Sequence, residues 1–252
     1  MPCRRLAVHL LLLLMAHAAT AVELKVLSAG AVEPGLRASV QRYERESGDT
    51  VKLSFAAAPA LRERAGTQAA AAAGFDLLIA PAAVLDAVAP AGTLRAERVT
   101  LGAVGIGVAV RPDAPRPDVT SPDSLKAALS AAESLVYNRA STGLYVEQML
   151  RRMGLGDALA SKTTRVADGA AVVQRLMQGR GREFGFAAIT EIQLKKDTGL
   201  VYVGPLPPEL QHRTVYQASV SARPSDEAAV TRLWRHLAGA ETRAAMRAAG
   251  ID

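Results

Sequence analysis

Cysteine is almost absent from this 252-residue chain: the single one is Cys3. A disulfide framework needs pairs and a thiolate metal site needs several, so both are excluded. Aromatic residues make up only 4% of the sequence, too few to serve as a stacking platform for single-stranded nucleic acid. Histidine is scarce too, with only His212 and His236 beyond the first twenty residues. Neither a G-x-S-x-G nucleophile elbow nor an H-E-x-x-H pair occurs. Gly102, Gly105 and Gly107 lie before or inside an apolar strand pattern and open no helix, so they form no dinucleotide fingerprint. The expectation is a chain with no catalytic residues, no metal and no cofactor, and therefore not an enzyme.

The start of the chain stands apart. Met1–Ala21 carries basic Arg4 and Arg5, an apolar run from Leu6 to Ala16, and then Ala19-Thr20-Ala21. That is the three-part pattern of a cleaved secretory signal peptide, and the run falls short of the ~20 residues a membrane span requires. No cysteine stands at the cleavage point to carry a lipid. A soluble protein of the bacterial periplasm is expected. Taking Arg4 and Arg5 from the 30 basic residues leaves 28 against 24 acidic ones, a net of +4. These charges are interspersed, which gives a mild attraction for anions and no nucleic-acid signature.

Past the leader, apolar strand patterns alternate with helical ones. Leu24–Ser28, Val51–Phe55 and Phe75–Ala80 read as buried strands. Leu36, Val40 and Tyr43 recur at helical spacing after the first, and Pro81–Val88 reads as a helix after the third. A longer strand over Ala103–Val110 ends in the proline-rich loop Arg111–Pro117. A second series follows: a strand over Ser134–Tyr137, helices over Thr142–Met153 and Ala170–Gln178, and a strand over Phe184–Ala188. Gly204–Pro208 reads as a loop, Thr214–Ser221 as a strand, and Asp226–Ala249 as mostly helical. Strands separated by helices imply parallel-rich sheets flanked by helices. The expected fold is α/β with two lobes and a cleft between them. Residues 22–102 and 217–252 would form the first lobe and residues 103–216 the second, with the leader over residues 1–21.

Four strand-to-helix corners carry small or hydroxyl residues: Ala29-Gly30-Ala31-Val32, Ala56-Ala57-Ala58-Pro59, Asn138-Arg139-Ala140-Ser141-Thr142-Gly143, and Ala167-Asp168-Gly169-Ala170. Each brings unpaired N–H groups and a helix dipole to the place where an anion is favoured. One such corner alone reads as ordinary packing. In an open α/β sheet all four fall at the carboxyl ends of strands, where crevice ligands bind.

Several stretches, in this order, resemble the periplasmic molybdate-binding proteins of ABC importers, a family with the type II periplasmic binding protein fold. Ser54-Phe55-Ala56-Ala57-Ala58 is similar to that family's S-F-A-S-S, and Phe75–Ala80 to its A-D-L-F-I-S. Thr142-Gly143-Leu144-Tyr145 is similar to its P-A-G-x-Y helix start, and Leu237-Ala238-Gly239-Ala240-Glu241 through Gly250 to its closing helix. The resemblance implies a solute-binding component that delivers a molybdate- or tungstate-type oxyanion to a membrane permease, as a monomer and without nucleic acid. It places ligand contacts on Gly30, Ala31, Ala58, Ser141, Thr142, Gly169 and Ala188.

Three of these positions depart from the family. Ala31 and Ala58 stand where it has serines, and Ala188 where it has a pocket tyrosine. Each lost hydroxyl removes a bond worth ~1 kcal/mol, or ~1.5–3 with a charged partner. Two such losses together with the missing tyrosine weaken an oxyanion about a hundredfold or more, at ~1.4 kcal/mol per factor of ten. Arg139 has a planar fork suited to a carboxylate. An organic anion, or an exported sensory module on the same fold, is therefore the alternative expectation.

Overall fold

The computed structural model describes residues 21–69 and 74–252. The expected leader lies outside them except for Ala21. Among the described residues no helix is long and apolar enough to cross a membrane.

The first half of the sheet is built on β1 (Glu23–Ala29), which pairs in parallel with β2 (Thr50–Ala56) and with β3 (Leu77–Pro81). β3 is buried along its whole length, as befits a strand covered on both faces. The second half is built on β5 (Ser134–Asn138), parallel to both β6 (Thr163–Val166) and β7 (Glu183–Ala188). Two long antiparallel strands join the halves: β4 (Leu94–Val110) and β9 (Arg213–Ser221). The sheet order is β2-β1-β3-β9-β4-β7-β5-β6, and β8 (Val201–Pro205) pairs with the end of β4. Along β4, residues Leu94–Gly105 face β9 and residues Ile106–Val110 face β7. The strand itself thus passes from one half to the other.

The sequence places a break at Gly102, where the structure keeps one continuous strand with a register shift between Thr100 and Gly102. Gly102 has φ of +142°, and a Cβ there would stand 2.8 Å from Ile251. Only glycine combines that conformation with the close approach of the chain's last residues. β8 corrects the reading of Gly204 and Pro205 as loop; Pro205 ends a strand at the margin of the sheet, where its missing N–H costs no ladder bond. β6, which no sequence pattern announced, is likewise a short, half-buried edge strand.

Helices cover both halves. α1 (Glu33–Ser47) has proline in its first turn and ends at Gly48 in the left-handed conformation. α2 (Ala58–Ala65), α3 (Ala82–Val88) and α4 (Pro122–Ser130) follow, the last started by a Ser121–Ser124 capping box. α5 (Ser141–Arg152), α6 (Gly156–Ala160), α7 (Gly169–Gln178) and the short α8 (Ile189–Gln193) serve the second half. The C-terminal α9 (Glu227–Ala238) and α10 (Ala240–Ala248) return to the first. One apolar core joins β1, β3 and β9 to α1 and α9; two others lie on the faces of the β5–β7 half. This leaves the parallel strands ending in corners that open on the space between the halves.

Candidate functional site

A cavity of about 300 Å³ occupies that space. The four corners reach it: Gly30 and Ala31 from β1–α1, Ala57 and Ala58 from β2–α2, Ser141 and Thr142 from β5–α5, Gly169 and Ala170 from β6–α7. Phe55, Pro81 and Leu194 supply apolar wall.

Two of the corners are capped from within. Asn138 Oδ1 accepts from the amides of Ala140 and Gly143, both at 3.0 Å. Asp168 Oδ1 accepts from Ala171 N–H at 2.9 Å. The first-turn amides of Ser141, Thr142, Gly169 and Ala170 remain outside these caps, and all four residues line the cavity. Helix ends in that state favour negative charge.

Six of the eight residues expected from the sequence line the cavity: Gly30, Ala31, Ala58, Ser141, Thr142 and Gly169. Arg139 does not. Asn138 turns inward at the end of β5, so the next residue of an extended chain points the other way. The Arg139 N–H donates to the Val166 carbonyl at 2.9 Å and its side chain is exposed. Ala188 is buried in the first core and lies behind the wall.

What Ala188 does is hold Glu191, which the sequence reading passed over. Its N–H donates to Glu191 Oε2 at 3.3 Å, closing the first turn of α8. The carboxyl group then lies against two corners at once. A Cβ on Gly30 would stand 3.2 Å from Oε1, and a Cβ on Gly169 would stand 2.0 Å from Oε2. The Glu191 carboxyl thus fills the place that a side chain at 169 would take. Burial pushes the Glu191 carboxyl up to about 7, helped by the charges of Asp168 and Glu33 and opposed by the Ala188 amide. One residue earlier, the Thr190 hydroxyl donates to the Ala31 carbonyl at 2.6 Å, tying α8 to the first corner.

Two more lining residues, Tyr216 and Lys195, were not foreseen as site groups. Tyr216 enters from β9 as a buried phenol; burial, followed by the Glu191 charge, raises it above the ordinary tyrosine value, with Ser141 acting in the opposite direction. Lys195 is the one cation among the lining residues, against the acids Glu33, Asp168 and Glu191. Glu33 is paired with Arg37 at 2.7 Å and Asp168 is spent on its cap. The sequence held one usable signal. β7 runs parallel to β5, so Ala188-Ile189-Thr190-Glu191 is a fifth strand-to-helix corner on the same edge.

A family profile described as bacterial extracellular solute-binding protein matches residues 24–252. Among curated proteins, an aconitate isomerase from a Pseudomonas species is 28% identical over 233 residues, covering 90% of this chain and 87% of that one. Among solved structures, the Azotobacter vinelandii periplasmic molybdate-binding protein superposes with a TM-score of 0.73 at 17% identity, over 91% of this chain and 98% of that one. A tungstate ABC transporter protein from Geobacter sulfurreducens gives 0.69 at 11% identity, over 90% and 98%. At such identities the structures establish a shared fold.

Proposed function

Because the chain belongs to the bacterial extracellular solute-binding proteins, we propose that it captures a small organic anion in the periplasm for a membrane permease of an ABC importer. The observation that carries this reading is the composition of the cavity. Helix-terminal amides and Lys195 supply donors for an ionised group, while Phe55, Pro81, Leu194 and the alanines at 31, 57 and 58 offer carbon where a mineral oxyanion needs hydroxyls. A volume of about 300 Å³ also matches the lower end of small-molecule sites, which begin at ~300 Å³. The relative named for aconitate, a polycarboxylate, supports the same ligand class. The ABC importer role follows the fold likeness to the molybdate and tungstate proteins, and secretion follows the leader pattern over Met1–Ala21.

In this role two halves joined by β4 and β9 close on the solute, which stabilises the closed state by contacts made from both sides. The test is calorimetry of the protein without its leader against molybdate, tungstate, sulfate and a series of di- and tricarboxylates that includes aconitate. Tight, selective molybdate binding with no carboxylate bound would refute the organic-anion reading and restore the oxyanion one.

A second reading is catalytic, and the aconitate isomerase match is what favours it. Incubation with cis- or trans-aconitate, followed by chromatography, separates the two. A receptor returns the compound unchanged.

A further inference from the structure

The two oxygens of Glu191 are in different situations. Oε2 takes the Ala188 N–H, while Oε1 lies toward Gly30 and no donor among the described residues reaches it. Lys195 follows on the same segment but forms no ion pair with it among the described residues. The other ionisable groups around it are Asp168 before α7, Glu33 at the start of α1 and the Tyr216 phenol on β9. A carboxylate among acids, with one oxygen unpartnered in a cavity, is an acceptor waiting for a donor.

We propose that Glu191 reads a proton on the solute: Oε1 accepts from a hydroxyl or protonated acid group of the bound molecule, while the helix-terminal amides hold its ionised end. The cavity then takes hydroxy acids and partly protonated polyacids. It rejects fully ionised tetrahedral oxyanions, whose oxygens can only accept, unless a proton enters with them and settles on Glu191. This assignment rests on the receptor reading and names its ligand class. The raised affinity of Glu191 for a proton, caused first by burial and then by Asp168 and Glu33, puts the exchange within reach near neutral pH.

The experiment titrates the wild-type protein and Glu191→Gln with L-malate, succinate, sulfate and molybdate at pH 6 and 8, in two buffers of different ionisation enthalpy. In the wild type, malate should bind about tenfold more tightly than succinate, the difference expected of a hydroxyl meeting a charged acceptor. Any sulfate or molybdate bound at pH 8 should bring close to one proton with it, at pH 6 far less because the carboxyl already holds its proton, and should weaken by about tenfold per pH unit above neutrality. At pH 8 Glu191→Gln should gain about tenfold for sulfate and molybdate over the wild type, with little gain at pH 6, so that its own pH profile is flat. The wild-type proton count stands whether or not the variant folds.

Sulfate or molybdate bound at pH 8 without proton uptake would overturn the assignment. So would an unchanged ranking and pH profile in Glu191→Gln while malate still binds; that result leaves the receptor reading intact. Molybdate preferred by both proteins at both pH values removes the organic-anion reading itself, and absence of heat with every probe for both proteins removes both.

Discussion

Adding one methyl group at Gly143 and at Gly169 should have opposite consequences. Both residues stand in the first turn of a helix at the cavity and neither has a positive φ, so alanine suits each backbone. They differ in what the new Cβ would meet. At Gly143 it would lie 1.6 Å from the Asn138 carbonyl oxygen and 2.6 Å from its carbon. Those are backbone atoms at the end of β5, held by pairing with β6 and by the two bonds that Asn138 Oδ1 accepts from Ala140 and Gly143 at the start of α5. Helix and strand must part by more than an ångström, breaking the cap. Two lost hydrogen bonds at ~1 kcal/mol each and overpacking of ~1–3 kcal/mol, less ~1 for alanine's helix propensity, leave a net loss of roughly 2–4 kcal/mol.

At Gly169 the Cβ would meet Oε2 and Cδ of Glu191, at 2.0 and 2.2 Å. These are the tip of a side chain, which can swing aside for the loss of its 3.3 Å bond to Ala188. That bond, together with off-rotamer strain of ~0.5–1.5 kcal/mol, is largely offset by the ~1 kcal/mol gained on replacing glycine in a helix. Gly169→Ala should therefore melt within ~4 °C of wild type, and Gly143→Ala roughly 5–15 °C below it, taking ~2–4 °C per kcal/mol for a chain of this size. Thermal melts with calorimetry on the same samples read both quantities. Gly169→Ala should also reproduce the binding profile of Glu191→Gln, because it removes the carboxylate from its place. Equal melting losses in the two variants, or unaltered binding in Gly169→Ala, would refute the packing argument.

Three further outcomes follow from single contacts. Asp49 is buried at the foot of α1, and although burial works against its charge, hydrogen bonds from Tyr43 at 2.6 Å and Arg232 at 2.8 Å hold its carboxyl below the ordinary range. Asp49→Asn should cost about 2–3 kcal/mol at pH 7, below the usual ~3–5 for breaking a buried pair because Arg232 can rehydrate. That native stabilisation is complete above the ordinary carboxylate range and is lost as pH falls through the depressed value, so the gap measured by urea unfolding should narrow below about pH 4. Thr190→Val orphans the buried Ala31 carbonyl and should lower stability by ~1–3 kcal/mol; a change under ~0.5 kcal/mol would show that water replaces the hydroxyl. Lys195 is an exposed cation at the cavity, so Lys195→Met should weaken anion binding only a few-fold, at ~0.2–1 kcal/mol, and the deficit should shrink as salt is raised.

The corners were legible because they follow from local chemistry. Small residues and helix-starting signals after an apolar strand specify a strand-to-helix turn wherever they occur, and the parallel sheet gathers those turns on one edge. β4 was legible only in its apolar second half. Its first part, Leu94–Leu101, is half-exposed and charged, so neither continuous apolarity nor clean alternation marks it as strand. Arg139 was misplaced because spacing alone does not say which of two successive residues faces in; the Asn138 cap decides that. Glu191 was hidden for a different reason. An acid in the first turn of a helix is what the helix dipole favours on its own account, and nothing local separates that role from a carboxylate pressed against glycines 30 and 169, which are distant in sequence.

Ala188 and Tyr216 together bear on what the cavity can recognise. The sequence resemblance puts a tyrosine at 188, at the end of β7 just before a short helix, and the alanine there looks like a plain loss of a donor. The structure supplies a phenol from β9 instead, where residue 216 pairs with Pro81 on one side and Gly102 on the other. A hydroxyl fixed in a central strand belongs to the floor of the cavity, and its raised affinity for the proton keeps it a donor. Across the same space Glu191 offers an acceptor. A tetrahedral oxyanion presents four like oxygens and would leave that acceptor facing negative charge. Under the proposed organic-anion reading, a molecule with an ionised end and a hydroxyl or acid end satisfies both walls, which a tetrahedral oxyanion does not.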